Sequence, residues 1–343
     1  MKTCLSRGLA FLAILVLALI PAAAQQPSGD TIESIEIQAR PIEAFDPRDP
    51  GRTRFGALVF RGGLVLESSH RDFGGLSGLH VDADGEHFVA ISDRTRWLRG
   101  RIVMRSGAPA GIADAEMAPM LGPDGRFLKD RGWYDTEALT EYDGRFYVGI
   151  ERVDRIVRFN YGRDGLRAWG HSIPVPGAMK RLPHNRSIEC LAAVPKDLAQ
   201  NDTLPAGTLI SISERGLDAD GNLLGFTIGR TDGAFTLKRT DDFDVSDCAI
   251  APNGQLLVLE RRFSWTQGVA MRIRSVPLAA VKPGALVDGA ELIFADMAYQ
   301  VDNMEGLSVH RAADGALVLT VISDNNFSPL QRTLLLQFTL AGE

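Results

Sequence analysis

Glu137, Glu189, Asp247 and Glu305 each open a short apolar stretch, and Ser77 holds the corresponding place in an earlier one. A turn follows, carrying Asp-Gly or Asn-Gly in four of the five cases (at Gly85, Gly144, Gly254 and Gly315), and a second apolar stretch then closes on Asp93, Glu151, Glu214, Glu260 or Asp324. Arginine follows four of these closing acids, as Arg94, Arg152, Arg215 and Arg261. Carboxylates gathered at about 4–6 Å raise one another's pKa and destabilise the fold unless positive charge lies among them. Four arginines cannot balance nine acids. Two readings stand side by side. In one, Glu137, Glu189, Asp247 and Glu305 hold a calcium ion, which takes six to eight oxygens in flexible geometry. In the other, each acid fastens its own repeat by accepting backbone N–H bonds or pairing with the next arginine.

The elements that must position these acids follow from the repeat. Its starts, at Gly75, Asp135, Ser187, Val245 and Asn303, are spaced 60, 52, 58 and 58 residues. Each unit has two strong strands and two weaker ones, and four short strands at this period predict an all-β chain folded as a β-propeller. A hairpin returns the chain to the end it left, so the opening and closing acids share one rim, at the mouth of the central channel. Residues 106–131, rich in Gly, Pro, Ala and Asp, read as loop. Residues 31–66 carry strands without a repeat of their own. They are expected to supply a further blade or to close the ring against the C-terminal strand, and the length predicts six four-stranded blades, with five or seven as the alternatives.

The first 24 residues read as a secretory signal peptide. Lys2 and Arg7 precede an apolar run that is too short to span a bilayer comfortably, and small residues follow up to Ala24. The mature domain would be a single propeller over residues 25–343, periplasmic or secreted, monomeric and without a membrane span. Removing Lys2 and Arg7 takes the formal charge from -6 to -8, which gives no electrostatic case for nucleic acid. Cys190 and Cys248 each directly follow the acid in successive repeats. A disulfide is allowed in an exported chain, and two buried free thiols are the alternative. The six histidines show no paired zinc spacing. His70 and His184 each lie in a loop just before a repeat and so near the acidic rim; such a loop histidine is usually solvated, and His184 is a candidate for catalysis. Gly75-Leu-Ser-Gly-Leu79 lacks the final glycine of a nucleophile elbow.

The stretch from Phe73 to Leu79 with Ser92-Asp-Arg94, Thr136-Glu-Ala-Leu139 with Glu151-Arg152, Ser187-Ile-Glu-Cys190 with Glu214-Arg215, and Asn303-Met-Glu-Gly-Leu307 with Ser323-Asp324 together resemble the bacterial phytase-like family, "esterase-like activity of phytase". The resemblance spans roughly residues 55–340 and implies an exported β-propeller. β-Propeller phytases bind phosphate through calcium at an acidic channel mouth, and six-bladed calcium lactonases are a second analogue. The expectation is a calcium-dependent hydrolase of phosphate or carboxylic esters, with a small-molecule ester as substrate. Glu137 or Glu305 would act as base, and Arg152 or Arg215 would steady the anion. A non-catalytic propeller that binds a ligand or protein on the same face is the alternative.

Overall fold

A computed structural model describes residues 32–183, 186–200, 203–230 and 232–342. The proposed signal peptide and His184 lie outside the described residues. Five sheets, antiparallel except where Gly233–Leu237 and Leu286–Val287 pair in parallel, stand around a common axis, and the first strand of each blade touches the first strand of the blades on either side. These inner strands are Leu76–Val81, Thr136–Tyr142, Ile188–Ala193, Asp244–Ala251 and Asn303–Arg311. The fold is therefore a β-propeller of five blades, not six.

Two features account for the difference. The strand Leu58–Glu67 does not found a blade of its own; it pairs antiparallel with the C-terminal strand Thr333–Leu340, and Gln38–Ile42 then pairs with Leu58–Glu67. The N-terminal strands thus complete the fifth blade and close the ring, as expected from their lack of a repeat. In addition, much of the stretch read as loop forms the strand Ala108–Pro119, the fourth of the first blade. Ala, Gly and Asp are poor strand formers, so only its pairing along Arg96–Arg105 makes it one. The first blade is consequently longer than the period implies, and dividing length by period overcounts.

The inner strands alternate their faces and pack blade against blade. Leu64, Leu76, Leu335 and Ile322 are buried between the fifth and first blades, and Leu139, Val148 and Ile91 between the first and second. Burying each such side chain stabilises the fold by about 1.5–3 kcal/mol. Between the third and fourth blades, Cys190 and Cys248 form a disulfide with their Cα atoms 5.1 Å apart. Among the described residues no helix is long and apolar enough to cross a membrane.

Candidate active site at the channel mouth

In all five blades the ladder between the first two strands slips by one residue near the rim. The first blade pairs Leu76 with Ser92 and then Gly78 with Ile91, leaving Ser77 unpaired in the ladder. The same slip leaves out Glu137, Glu189 and Glu305 in the second, third and fifth blades. In the fourth, Val245 pairs with Glu260 and Asp247 with Leu259, so the extra residue is Ser246. Such a β-bulge bends the strand and re-aims one side chain. Here it turns the glutamates of the second, third and fifth blades into the channel mouth.

This register corrects the alignment of the fourth repeat. Its bulge residue is Ser246, not Asp247, and the counterpart of Asp93, Glu151, Glu214 and Asp324 is Arg261, not Glu260. Asp247 lies one position further on and is fully buried. One of its oxygens accepts the N–H of Cys248 at 2.7 Å and the other that of Leu307 at 2.6 Å, which fastens the fourth blade to the fifth. Glu260 is buried against Arg272 and Arg274, at 2.5 and 2.6 Å. The bulge serines tie neighbouring blades: Ser77 donates to the carbonyl of Thr136, and Ser246 to that of Met304 at 2.9 Å. The same offset explains the disulfide. Cys190 is one residue past its bulge and Cys248 two, so the two side chains point to opposite faces and meet between adjacent blades.

At the mouth is a cavity of about 620 Å³ lined by nine carboxylates, those of Asp93, Asp135, Glu137, Glu151, Glu189, Glu214, Asp302, Glu305 and Asp324, with Arg261 and Arg262. Of the expected cation ligands, Glu137, Glu189 and Glu305 are brought together here and Asp247 is not among the lining residues. Glu151, Glu189 and Glu214 each offer an oxygen within 4.8 Å of the others. Arg261 reaches across them, 3.1 Å from Glu305 and 3.3 Å from Glu214. Oε1 of Glu305 also accepts the side-chain amide of Asn303 at 2.8 Å, while its buried Oε2 has no hydrogen-bond partner among the described residues.

The electrostatics follow from burial and crowding. Desolvation, followed by the charges of Glu189 and Glu305, raises Glu137 well above the usual carboxylate range. Glu189 is raised likewise, by burial and then by Glu305 and Glu214, against the pull of Arg261. Burial lifts Glu151 to about 7 although the backbone N–H of Ser187 donates to it. Glu305 and Asp324 are also raised to about 7 by burial, partly opposed by Arg261. The surrounding carboxylates hold Arg261 firmly protonated.

The two arginines expected to face the site do not line it. Arg152 follows Glu151 in a one-turn helix, and its guanidinium lies 5.4 Å from the ring centre of Tyr134. Arg215 bonds Asp244 and lines a separate pocket beside the cavity. The position of Arg261 in the ring of acids could be found only by locating the bulge. An apolar lip of Phe263, Met297 and Leu330 borders the cavity, with Phe263 59% and Leu330 91% exposed.

The family described as "Phytase-like: Esterase-like activity of phytase" matches residues 71–327. The chain belongs to the phytase-like family. No curated protein matches it in sequence. Among solved structures, the catalytic domain of an α-L-arabinofuranosidase from Coprinopsis cinerea is 11% identical with a TM-score of 0.49, over 84% of this chain and 99% of that one. An endo-arabinase from Bacteroides thetaiotaomicron is 12% identical with a TM-score of 0.46, over 79% and 94%. As a phytase-like propeller, the chain carries its densest group of buried carboxylates at the channel mouth.

Proposed function

We propose that this phytase-like protein is an exported hydrolase of phosphate or carboxylic esters, acting as a monomer at the acidic channel mouth with a calcium ion held there. The observation that carries the reading is the cavity itself: nine carboxylates face one another with Arg261 and Arg262 as the only cationic lining groups among the described residues, and a buried oxygen of Glu305 has no partner. The donor set suits calcium, being all oxygen, adaptable and strongly anionic. Glu151, Glu189 and Glu214, with their oxygens within 4.8 Å, would form its core, and Glu137 and Glu305 would complete it. A calcium ion there supplies a Lewis acid toward the ester oxygen.

The chain's own groups supply the rest. Glu305 is the candidate base: burial raises it to about 7 in the cation-free site, and a calcium ion beside it would lower that value and favour the carboxylate, the form that takes a proton from water and returns it to a leaving group. Glu137 is the second candidate base. Arg261, held by Glu214 and Glu305, keeps a positive charge beside the place where an ester oxygen would develop negative charge.

The test is a screen of the full chain on p-nitrophenyl phosphate, phytate, aryl esters and lactones, in calcium and in chelator. Turnover that needs calcium and is lost in Glu305→Gln is the expected result. If no substrate turns over in either condition while calcium still binds, the protein is a binding module on this face and the hydrolase reading is wrong.

A further inference from the structure

Beside the acidic cavity, and sharing Arg262 and Phe263 with it as a wall, lies a second pocket of about 520 Å³ lined by Arg215, Arg239, Arg262, Asp242, Ser264 and Gln267. We propose that this pocket is an oxyanion subsite, which takes the carboxylate, sulfate or phosphate group of a ligand whose other end lies across the wall in the acidic cavity. The second half of that statement rests on the acidic cavity being the reaction site; the anion subsite itself does not.

The arrangement of the three guanidinium groups supports the proposal. In a chain of net charge -6, arginines beside nine carboxylates would be drawn into the acidic cavity. Arg215 and Arg239 are instead anchored from behind, and Arg262 stands in the wall between the two cavities. Asp244, 7% exposed, is shared: one oxygen bonds Arg215 and the other accepts Nε of Arg239 at 3.0 Å. Among the described residues the acceptors of Arg262 are neutral, the backbone carbonyl of Asp241 at 3.1 Å and the side chain of Gln267 at 3.2 Å, and its guanidinium lies 4.9 Å from the ring centre of Phe243. Asp241 and Asp242 both have left-handed backbones, φ 56° and 58°, a conformation Asp adopts more readily than most non-glycine residues. That turn points the Asp241 carbonyl at Arg262.

Three guanidinium groups thus line the pocket, with Asp244 bonded to Arg215 and Arg239, Asp242 3.1 Å from Arg239, and the charge of Glu214 also acting on Arg215. Each arginine commits only part of its five N–H donors to the protein, and the buried Nε of Arg215 has no partner among the described residues. A planar fork with donors to spare matches an oxyanion two oxygens at a time.

The experiment is calorimetry on the full, disulfide-bonded chain in chelator, titrating sulfate, inorganic phosphate and acetate against chloride at matched ionic strength. The expected result is saturable binding of at least one of the three. Binding should weaken about tenfold or more in Arg262→Gln and again in Arg215→Gln, since a charge-assisted hydrogen bond is worth about 1.5–3 kcal/mol and 1.4 kcal/mol is tenfold. Arg163→Gln, at an exposed pair with Asp164, should bind as the parent does, and equal melting temperatures in chloride check that the variants fold. The combined Glu137→Gln and Glu305→Gln variant should keep anion binding, which separates this subsite from the cation reading. No saturable binding in chelator overturns the proposal. So does binding that appears only with calcium, or binding that survives the loss of both Arg215 and Arg262.

Discussion

Glu305 shows the conflict built into each residue of the rim. Its burial and its acidic neighbours raise it to about 7 even with Arg261 and Asn303 beside it, so keeping it ionised at pH 8 with no bound cation destabilises the folded state by roughly 3 kcal/mol for a shift of that size. The sign is that of acids with raised folded pKa values: the folded chain binds more protons than the unfolded one, so this stability is present below about pH 4.5 and is lost as pH rises through about 7. In chelator, the melting temperature should therefore fall between pH 5 and pH 8, and Glu137→Gln should soften that fall. Calcium competes with protons for the same oxygens, so its stabilisation should grow over the same range, reaching about 2.7 kcal/mol at a hundredfold excess over Kd. Replacing Glu137 and Glu305 together by glutamine should abolish the calcium-dependent shift. A metal-stripped protein whose melting temperature ignores millimolar calcium at pH 8 would remove the cation from the account. Arg261→Met should destabilise by about 3–5 kcal/mol at pH 8, because it strips the buried carboxylates of their countercharge. The loss should be smaller at pH 5, where protons do that work; urea titrations at the two pH values give the comparison.

The bulge is the element that turns a repeated hairpin into a site. By adding one residue to the inner strand it projects Glu137, Glu189 and Glu305 into the mouth and hands the intervening places to Ser77 and Ser246. Asp247 falls on the other side of that register, with both oxygens on backbone N–H groups. Asp247→Asn replaces one of those acceptors by an amide that can only donate, and should cost about 1–3 kcal/mol while leaving the calcium-dependent shift intact. A lost calcium response in that variant would return Asp247 to the ligand set. The disulfide joins inner strands of neighbouring blades across 58 residues. Chain entropy alone assigns such a loop about 4 kcal/mol, which a comparison of the oxidised and reduced protein in urea would read directly.

At the scale of the molecule, stability depends on the seam in the fifth blade. Leu58–Glu67 is held between Thr333–Leu340 and Gln38–Ile42, with Leu64, Leu66 and Leu335 buried in the interface with the first blade. Removing residues 31–66 would bare the full edge of Thr333–Leu340, a template for pairing with other chains. The truncated protein is expected to aggregate or to lack a cooperative transition. A soluble truncation that melts cooperatively would show that the ring does not need its seam.

The repeat and the all-β class were determined by the sequence alone, and the N-terminal strands' lack of a repeat marked them as the segment that would add a blade or close the ring. Hairpins are local, so apolar runs, glycine turns and an unrepeated N-terminal strand carry that information within a few residues of one another. The same locality placed Glu137, Glu189 and Glu305 with Asp93, Glu151, Glu214 and Asp324 on one rim. Tertiary structure decided the rest. The number of blades depends on which sheet Leu58–Glu67 joins and on the pairing that makes Ala108–Pro119 a strand, and neither is a local property. In Ser246-Asp247 the bulge has no signature in composition. Choosing the acid as the repeat's head shifted the fourth blade by one residue and hid Arg261 in the ring of carboxylates. That single residue also reverses the face of a strand, so it decided whether Cys190 and Cys248 could meet.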